Sequence, residues 1–308
     1  MKPETRSFYQ TAVQRAVETI VSDLDRALDL RALAREAALS PFHFHRIFKG
    51  MLGETPLELQ RRLRMERASW SLLHEGSSVT AVAFAAGYET HESFTRAFRA
   101  HYACSPSEFR QSLEIHKVDC TDPFRVELAA RSGIHFQPQR SEPPTIRFNQ
   151  GEETMNIEIK DMQEMRVATV RHVGPYTRIS EAFGRLGELA GKAGLFGPES
   201  AMIGIYHDDP ESTPAAELRA DAALVVPSGV SLPEELGEQR IPAGRYACTT
   251  HVGPYRELGD VWARFMGGWL PDSGHRLGPG ECYEIYHNAP GEVPEDQLRT
   301  ELYVPLQA

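Results

Sequence analysis

Apolar residues recur along this chain at two different periods, and the period changes near its middle. Tyr9, Val13, Val17, Ile20 and Leu24 lie at helical spacing and predict a first amphipathic helix. In 41–49, Phe44, Ile47 and Phe48 share one helical face, which leaves Phe42, His45, Arg46 and Lys49 on the other. In 91–99, Phe94, Ala97 and Phe98 form the apolar face, while Glu92, Thr95, Arg96 and Arg99 point outward, with His91 at the N-terminus. Between them, 57–73 reads as one long helix. Ser40-Pro41, Thr55-Pro56 and Ser105-Pro106 each put a capping hydroxyl before a proline at the first helical position, so each marks a helix start. From residue 155 on, alternation replaces the helical period. Strands are predicted over 166–171, 201–207 and 220–226, and again over 245–250, 282–287 and 298–304, with helical stretches at 178–193 and 256–270.

Both halves repeat internally. Phe44, Arg46, Phe48, Lys49 and Pro56 recur as Phe94, Arg96, Phe98, Arg99 and Pro106 at one constant offset. His172-Val173-Gly174-Pro175-Tyr176 recurs as His251-Val252-Gly253-Pro254-Tyr255, and Tyr206-His207 with Pro210 recurs as Tyr286-His287 with Pro290. The fold expected is therefore multidomain. An all-α double helix-turn-helix domain (1–115) comes first, then a proline-bearing linker (116–154), then an α+β domain (155–308) built from two pseudo-symmetric β-α-β-β units.

The bulk numbers narrow the function. A chain of 308 residues has room for two domains. It has no apolar run of membrane-spanning length, and its first residues lack the apolar stretch of a signal peptide. Four scattered cysteines form no Cys-x-x-Cys pair and no zinc-spaced cluster, so a reducing cytoplasm is expected, with no metal and no cofactor. Charge is uneven. Residues 1–115 hold 15 Lys and Arg against 14 Asp and Glu, residues 116–154 hold 5 against 6, and residues 155–308 hold 13 against 23. The acidity lies in the last half, which leaves the helical half compatible with nucleic acid.

The outward faces of 41–49 and 91–99 suit DNA. An exposed Arg46 or Arg96 can pair two hydrogen bonds with guanine in the major groove, Phe42 can meet a thymine methyl, and Lys49 and Arg99 suit phosphates. Any amphipathic helix carries charge outside, but a merely solvated face has no reason to be duplicated. The intervening helix spans about 26 Å, close to one DNA turn once helix diameters are added, so one polypeptide can reach two successive major-groove segments. Arg61, Arg62, Arg64 and Arg67 on that helix fit either phosphate contacts or ordinary helix surface. At these residues residues 8–113 resemble the DNA-binding domain of AraC-type transcription regulators. The run Ala85-Ala86-Gly87-Tyr88-Glu89-Thr90, then Phe94, Arg96-Ala97-Phe98-Arg99, Ser105-Pro106 and Arg110, carries that family's signature. The resemblance implies seven helices, and base contacts from Phe42, His45, Arg46, His91, Glu92, Thr95 and Arg96.

The two α+β repeats differ at one telling place. Gly204 in the first corresponds to Glu284 in the second, where alternation puts Glu284 and Tyr286 on one face and Tyr283 and Ile285 on the other. A carboxylate between tyrosines on an apolar sheet is costly unless something pairs with it, and an aromatic pocket with an acid at its floor suits a lipophilic cation. Tyr176, Tyr255, Trp262, Phe183, Phe265 and Trp269 are candidates for its walls. The plainer alternative is that Glu284 faces solvent on an edge strand and the aromatics are core. The His-Val-Gly-Pro-Tyr segments read as structural turns from strand into helix. The doubled unit, both of these segments and Tyr283-Glu284-Ile285-Tyr286 followed by Pro290 resemble the GyrI-like effector-binding domain of drug-responsive regulators. The resemblance implies that Glu284 meets cationic ligands, with Tyr176, Tyr255 and Tyr286 beside it. Together these readings point to a ligand-controlled transcription regulator, expected to be an activator and not an enzyme, with promoter DNA, a lipophilic cation and RNA polymerase as partners. Two alternatives stay open. The C-terminal domain hydrolyses a reactive drug-like molecule, or it serves as a protein-interaction module that uses acids such as Glu234, Glu235 and Glu238.

Overall fold

The structure, a computed structural model, describes residues 3–116, 132–138, 143–149, 155–208, 210 and 213–307. They group into two compact units. One holds Met1–Tyr9, Leu30–Gly50 and Gln150–Ala308; the other holds Gln10–Asp29 and Met51–Asn149.

Seven helices come first: α1 (Pro3–Ser22), α2 (Leu30–Glu36), α3 (Pro41–Leu52), α4 (Pro56–His74), α5 (Val79–Ala85), α6 (His91–Tyr102) and α7 (Pro106–His116). All three Ser/Thr-Pro pairs are helix starts. Ser40 Oγ accepts from His43 N, and Thr55 and Ser105 form reciprocal capping boxes with Glu58 and Glu108. The second unit is held by Met65, Ala68 and Leu72 of α4, Val82 and Ala83 of α5, and Phe94 and Phe98 of α6. Three of the four arginines on α4 are internal fasteners. Arg62 pairs with Glu54 and Glu66, Arg64 donates to the Leu24 carbonyl, and Arg67 bridges Asp25 and the Ala85 carbonyl. Arg61 alone of the four is exposed. Much of the expected linker, including Cys120 and Pro123, lies outside the described residues. Its described parts run back along α4, where Arg62 donates to the Ile134 carbonyl and Phe136 N donates to Glu66.

The other unit is built on an eight-stranded antiparallel sheet: β1 (Glu158–Met162), β2 (Met165–Val173), β3 (Met202–Tyr206), β4 (Arg219–Val225), β5 (Gly237–Ile241), β6 (Gly244–Val252), β7 (Tyr283–Tyr286) and β8 (Arg299–Pro305). The spatial order is β1-β6-β8-β7-β3-β4-β2-β5, which reads the same from either end once repeat-equivalent strands are matched. The two β-α-β-β units are present. Each is preceded by a further short strand that the periodicity did not reveal, and these are exchanged: β1 pairs with β6, and β5 with β2. The first unit's helix is α8 (Ser180–Lys192). The second's is interrupted: α9 (Leu258–Ala263) passes through a π-helical segment (Arg264–Trp269) into α10 (Leu270–Ser273). A π-helical turn widens the helix at Gly267-Gly268, a distortion common beside functional sites.

One face of the sheet packs Ile203, Ile205, Tyr283, Ile285, Tyr246 and Tyr303 together, with the Tyr283 and Tyr303 rings stacked at 4.8 Å. The opposite face carries α8, whose Ala182, Leu186 and Ala190 pack on Ala168, Ala222 and Leu224.

Candidate effector and DNA-reading sites

The centre of the sheet lies where β3 meets β7. Gly204 pairs there with Glu284, its own counterpart in the other repeat, so the pseudo-two-fold axis passes through this residue pair. A side chain on one strand then crowds its equivalent on the other. A Cβ on Gly204 would stand 2.8 Å from the Tyr286 hydroxyl and 3.1 Å from the Tyr206 ring. Glycine in one repeat is the condition for a glutamate and two tyrosines in the other positions.

Glu284 is 3% exposed and sits on a central strand, which removes the solvent-facing alternative. Both carboxylate oxygens accept a hydrogen bond. Trp262 Nε1 donates to Oε1 at 2.6 Å, and the Tyr286 hydroxyl donates to Oε2 at 2.5 Å. Tyr286 is in turn 2.8 Å from the Tyr206 hydroxyl. Burial raises the acid's pKa, while Trp262, Tyr286 and the Arg46 charge pull it back. The same burial drives the Tyr206 and Tyr286 phenols upward. Around this core the rings meet edge to face: Tyr176 on Tyr206 at 5.0 Å, Tyr255 on Tyr286 at 5.4 Å, and Phe183 on Tyr286 at 5.5 Å. The structure therefore brings Glu284, Trp262, Tyr286, Tyr255 and Tyr176 into one aromatic cluster. Phe265 stacks behind Trp262 and is fully buried, and Trp269 lies beyond Phe265.

Tyr206 was missed. Its signal was in the repeat: it is the equivalent of Tyr286, and symmetry brings the two hydroxyls together. Tyr176 and Tyr255 each have a second task, for their hydroxyls donate to the Asp208 and Asn288 carbonyls. The His-Val-Gly-Pro-Tyr segments do turn strand into helix. Gly174 and Gly253 hold φ of 132° and 148°, which favours glycine, and His172 Nε2 lies 3.0 Å from the Pro175 carbonyl.

The two predicted recognition helices differ. On α6, His91, Glu92, Arg96 and Arg99 are exposed, as the pattern required, whereas Thr95 is half-buried with its hydroxyl turned inward and not outward as expected. On α3 the outward face is not outward. Phe42 is 6% and His45 7% exposed. Lys49 Nζ meets Asp260 at 3.2 Å. The Arg46 guanidinium lies 3.8 Å from the Phe42 ring centroid and 4.1 Å from that of Trp262. The exposure expected of Phe42 and His45 is thus corrected: this face of α3 packs within its own compact unit, and helical periodicity says which residues share a face but not what covers it.

Comparison with known proteins agrees with both halves. Residues 155–307 match the GyrI-like small molecule binding domain, and residues 33–112 match a helix-turn-helix domain. A DNA gyrase inhibitor of Erwinia billingiae is 34% identical over 157 residues, which are 49% of this chain and 97% of that protein. The DNA gyrase inhibitor of Yersinia enterocolitica is 35% identical over 139 residues, 44% of this chain and 87% of that protein. Among solved structures, EcmrR in a complex with DNA aligns over 78% of this chain and 80% of its own, at 16% identity and a TM-score of 0.44. No described helix is long and apolar enough to cross a membrane. With the effector domain matched through its own residues and an AraC-type helix-turn-helix domain ahead of it, the chain belongs to the GyrI-like family as a ligand-regulated transcription regulator.

Proposed function

We propose that the effector is a lipophilic cation, held with its charge toward Glu284 and its apolar body against the rings of Tyr176, Tyr206, Tyr255, Tyr286 and Trp262. In this reading residues 1–115 bind promoter DNA, with Arg96 reading a base and Arg99 a phosphate, residues 155–308 bind the effector, and residues 116–154 join them. The chain acts as an activator, and RNA polymerase is the partner an activator requires.

The observation that carries the reading is a carboxylate buried at the pseudo-two-fold axis among aromatic rings. A charge there is expensive, and two neutral donors offset only part of that cost, so a cation entering the cluster gains strongly. Engagement of both oxygens by Trp262 and Tyr286 favours a fixed countercharge over an acid or base that must exchange its proton. The acid-rich surface is a weaker candidate for a docking site, because Glu238 is tied to Arg166 at 2.8 Å.

Titration of the full chain with tetraphenylphosphonium, followed by tryptophan fluorescence, tests the reading. Saturable quenching is expected, and Glu284→Gln should weaken it by roughly tenfold or more. Because burial raises the Glu284 pKa, affinity should fall as the pH drops and begin to do so above the range of an ordinary glutamate. Equal affinity of parent and variant for the cation and for a neutral molecule of the same shape would refute the charge argument.

A further inference from the structure

Within one compact unit, α3 lies against α9 and the π-helical segment, and its contacts converge on the effector acid. Lys49 pairs with Asp260 of α9. His43 Nε2 is 3.2 Å from Cys282 Sγ, one residue before β7. Burial lowers the His43 pKa to about 4, with the Arg46 charge adding to this, and burial pushes the Cys282 thiol up to about 12. Both groups are therefore neutral near pH 7, and the contact is a hydrogen bond between two uncharged partners. Between these contacts the backbones nearly touch. A Cβ on Gly50 would stand 2.0 Å from the Ala263 carbonyl oxygen and 2.6 Å from Gly267 Cα. Two glycines, one on α3 and one on the π-helical segment, make that approach possible.

What the approach delivers is Arg46. Its guanidinium lies over the Trp262 ring, and the Nε1 of that same indole donates to Glu284. The Arg46 charge is also one of the influences that holds the Glu284 carboxyl down. A delocalised cation stacked on an aromatic wall, with a buried carboxylate behind the wall, is the chemistry that the effector itself would use.

We propose that Arg46 is an intramolecular occupant of the effector site, so that the recognition helix α3 and a lipophilic cation exclude one another. The proposal rests on the reading of Glu284 as the cation's countercharge. Its consequence is regulatory. While Arg46 is docked, α3 cannot offer it to a guanine. A cation that takes its place on Trp262 releases the helix. By linkage, DNA that captures Arg46 must raise the chain's affinity for the cation by the same factor as the cation raises its affinity for DNA. Arg96, the equivalent residue of α6, is exposed and serves as the internal control.

The test compares tetraphenylphosphonium binding to the full-length parent, Arg46→Ala, Gly50→Ala and Glu284→Gln. Removing the occupant should raise cation affinity by roughly 2- to 30-fold, the range set by one cation–π contact. Gly50→Ala leaves every side chain of the pocket intact and wedges α3 away through the backbone clash, so it should raise affinity in the same direction and guards against a local folding defect in Arg46→Ala. Arg96→Ala, whose expected loss is in DNA binding, should leave the cation affinity where the parent has it. If the parent binds the cation, Glu284→Gln loses it, and neither Arg46→Ala nor Gly50→Ala tightens it, the occupant idea is overturned while the cation site stands. If neither the parent nor Arg46→Ala binds the cation, both fall. Binding by Arg46→Ala and Gly50→Ala with little or none by the parent would be the strongest support.

Discussion

The two recognition helices have the same spacing of aromatic and basic residues and live in different surroundings. Arg96 on α6 is exposed, whereas Arg46 on α3 is sandwiched between Phe42 and Trp262. The residues between the shared positions account for the difference. At the place of Phe42, α6 has Glu92; at the place of Gly50 it has Ala100. An acid at the first turn would resist burial, and a Cβ at the last would block close approach. One helix is thus fit to be covered and the other only to be presented. A duplicated motif can keep its core face by one rule while its outer faces diverge in what they meet.

The largest effects should come from what the two helices share. Phe48 and Phe98 are both fully buried. Truncation of either to alanine should cost about 3–5 kcal/mol of stability in chemical denaturation. A loss below about 1 kcal/mol for Phe48→Ala alone would mean that the α3 core face is not equivalent to that of α6. Next come the outer faces. Arg96→Ala should weaken binding to the specific site by about 1–3 kcal/mol and relax discrimination at one base position. Arg46→Ala should match it only when the effector is present. In the effector's absence its cost in a DNA-binding titration should be smaller, since the docked helix contributes less to lose. Equal costs in both conditions would erase the distinction between the helices.

Much of this was legible in the chain. Helical spacing located the buried faces of α3 and α6, and the Ser/Thr-Pro pairs located three helix starts, because capping and proline geometry are local. The internal repeats located the β-α-β-β units and singled out Glu284 by its contrast with Gly204. The strands β1 and β5 were not seen. Each is five residues long and mostly exposed, so neither carries a period, and their exchange between repeats is a long-range pairing. Tyr206 was overlooked although symmetry implied it. The covering of Phe42 and His45 was beyond reach for a different reason. Periodicity specifies a face, and only the docking of another element decides whether that face meets solvent, DNA or protein. Gly50 was the residue that carried the hint, since a glycine in the interior of a helix costs stability relative to alanine unless close packing requires it.

The smallest expected difference concerns the helix starts. Thr90 Oγ1 accepts from Ser93 N at 3.1 Å, and Ser40 Oγ accepts from His43 N at 3.2 Å, so the two caps are chemically alike. Each satisfies an amide that the helix itself leaves open, and its loss to alanine costs about 1 kcal/mol. The first turns differ in support. That of α6 carries exposed His91 and Glu92 and has little but its cap to hold it. That of α3 begins with Pro41, whose fixed φ favours the helix, and has Phe42 buried and His43 against Cys282. Hydrogen exchange should therefore show Thr90→Ala fraying the amides of 91–94 more than Ser40→Ala frays those of 42–45. Addition of the effector should narrow that gap, because a released α3 loses the packing that shields its first turn, and the two helices then depend on their caps alike.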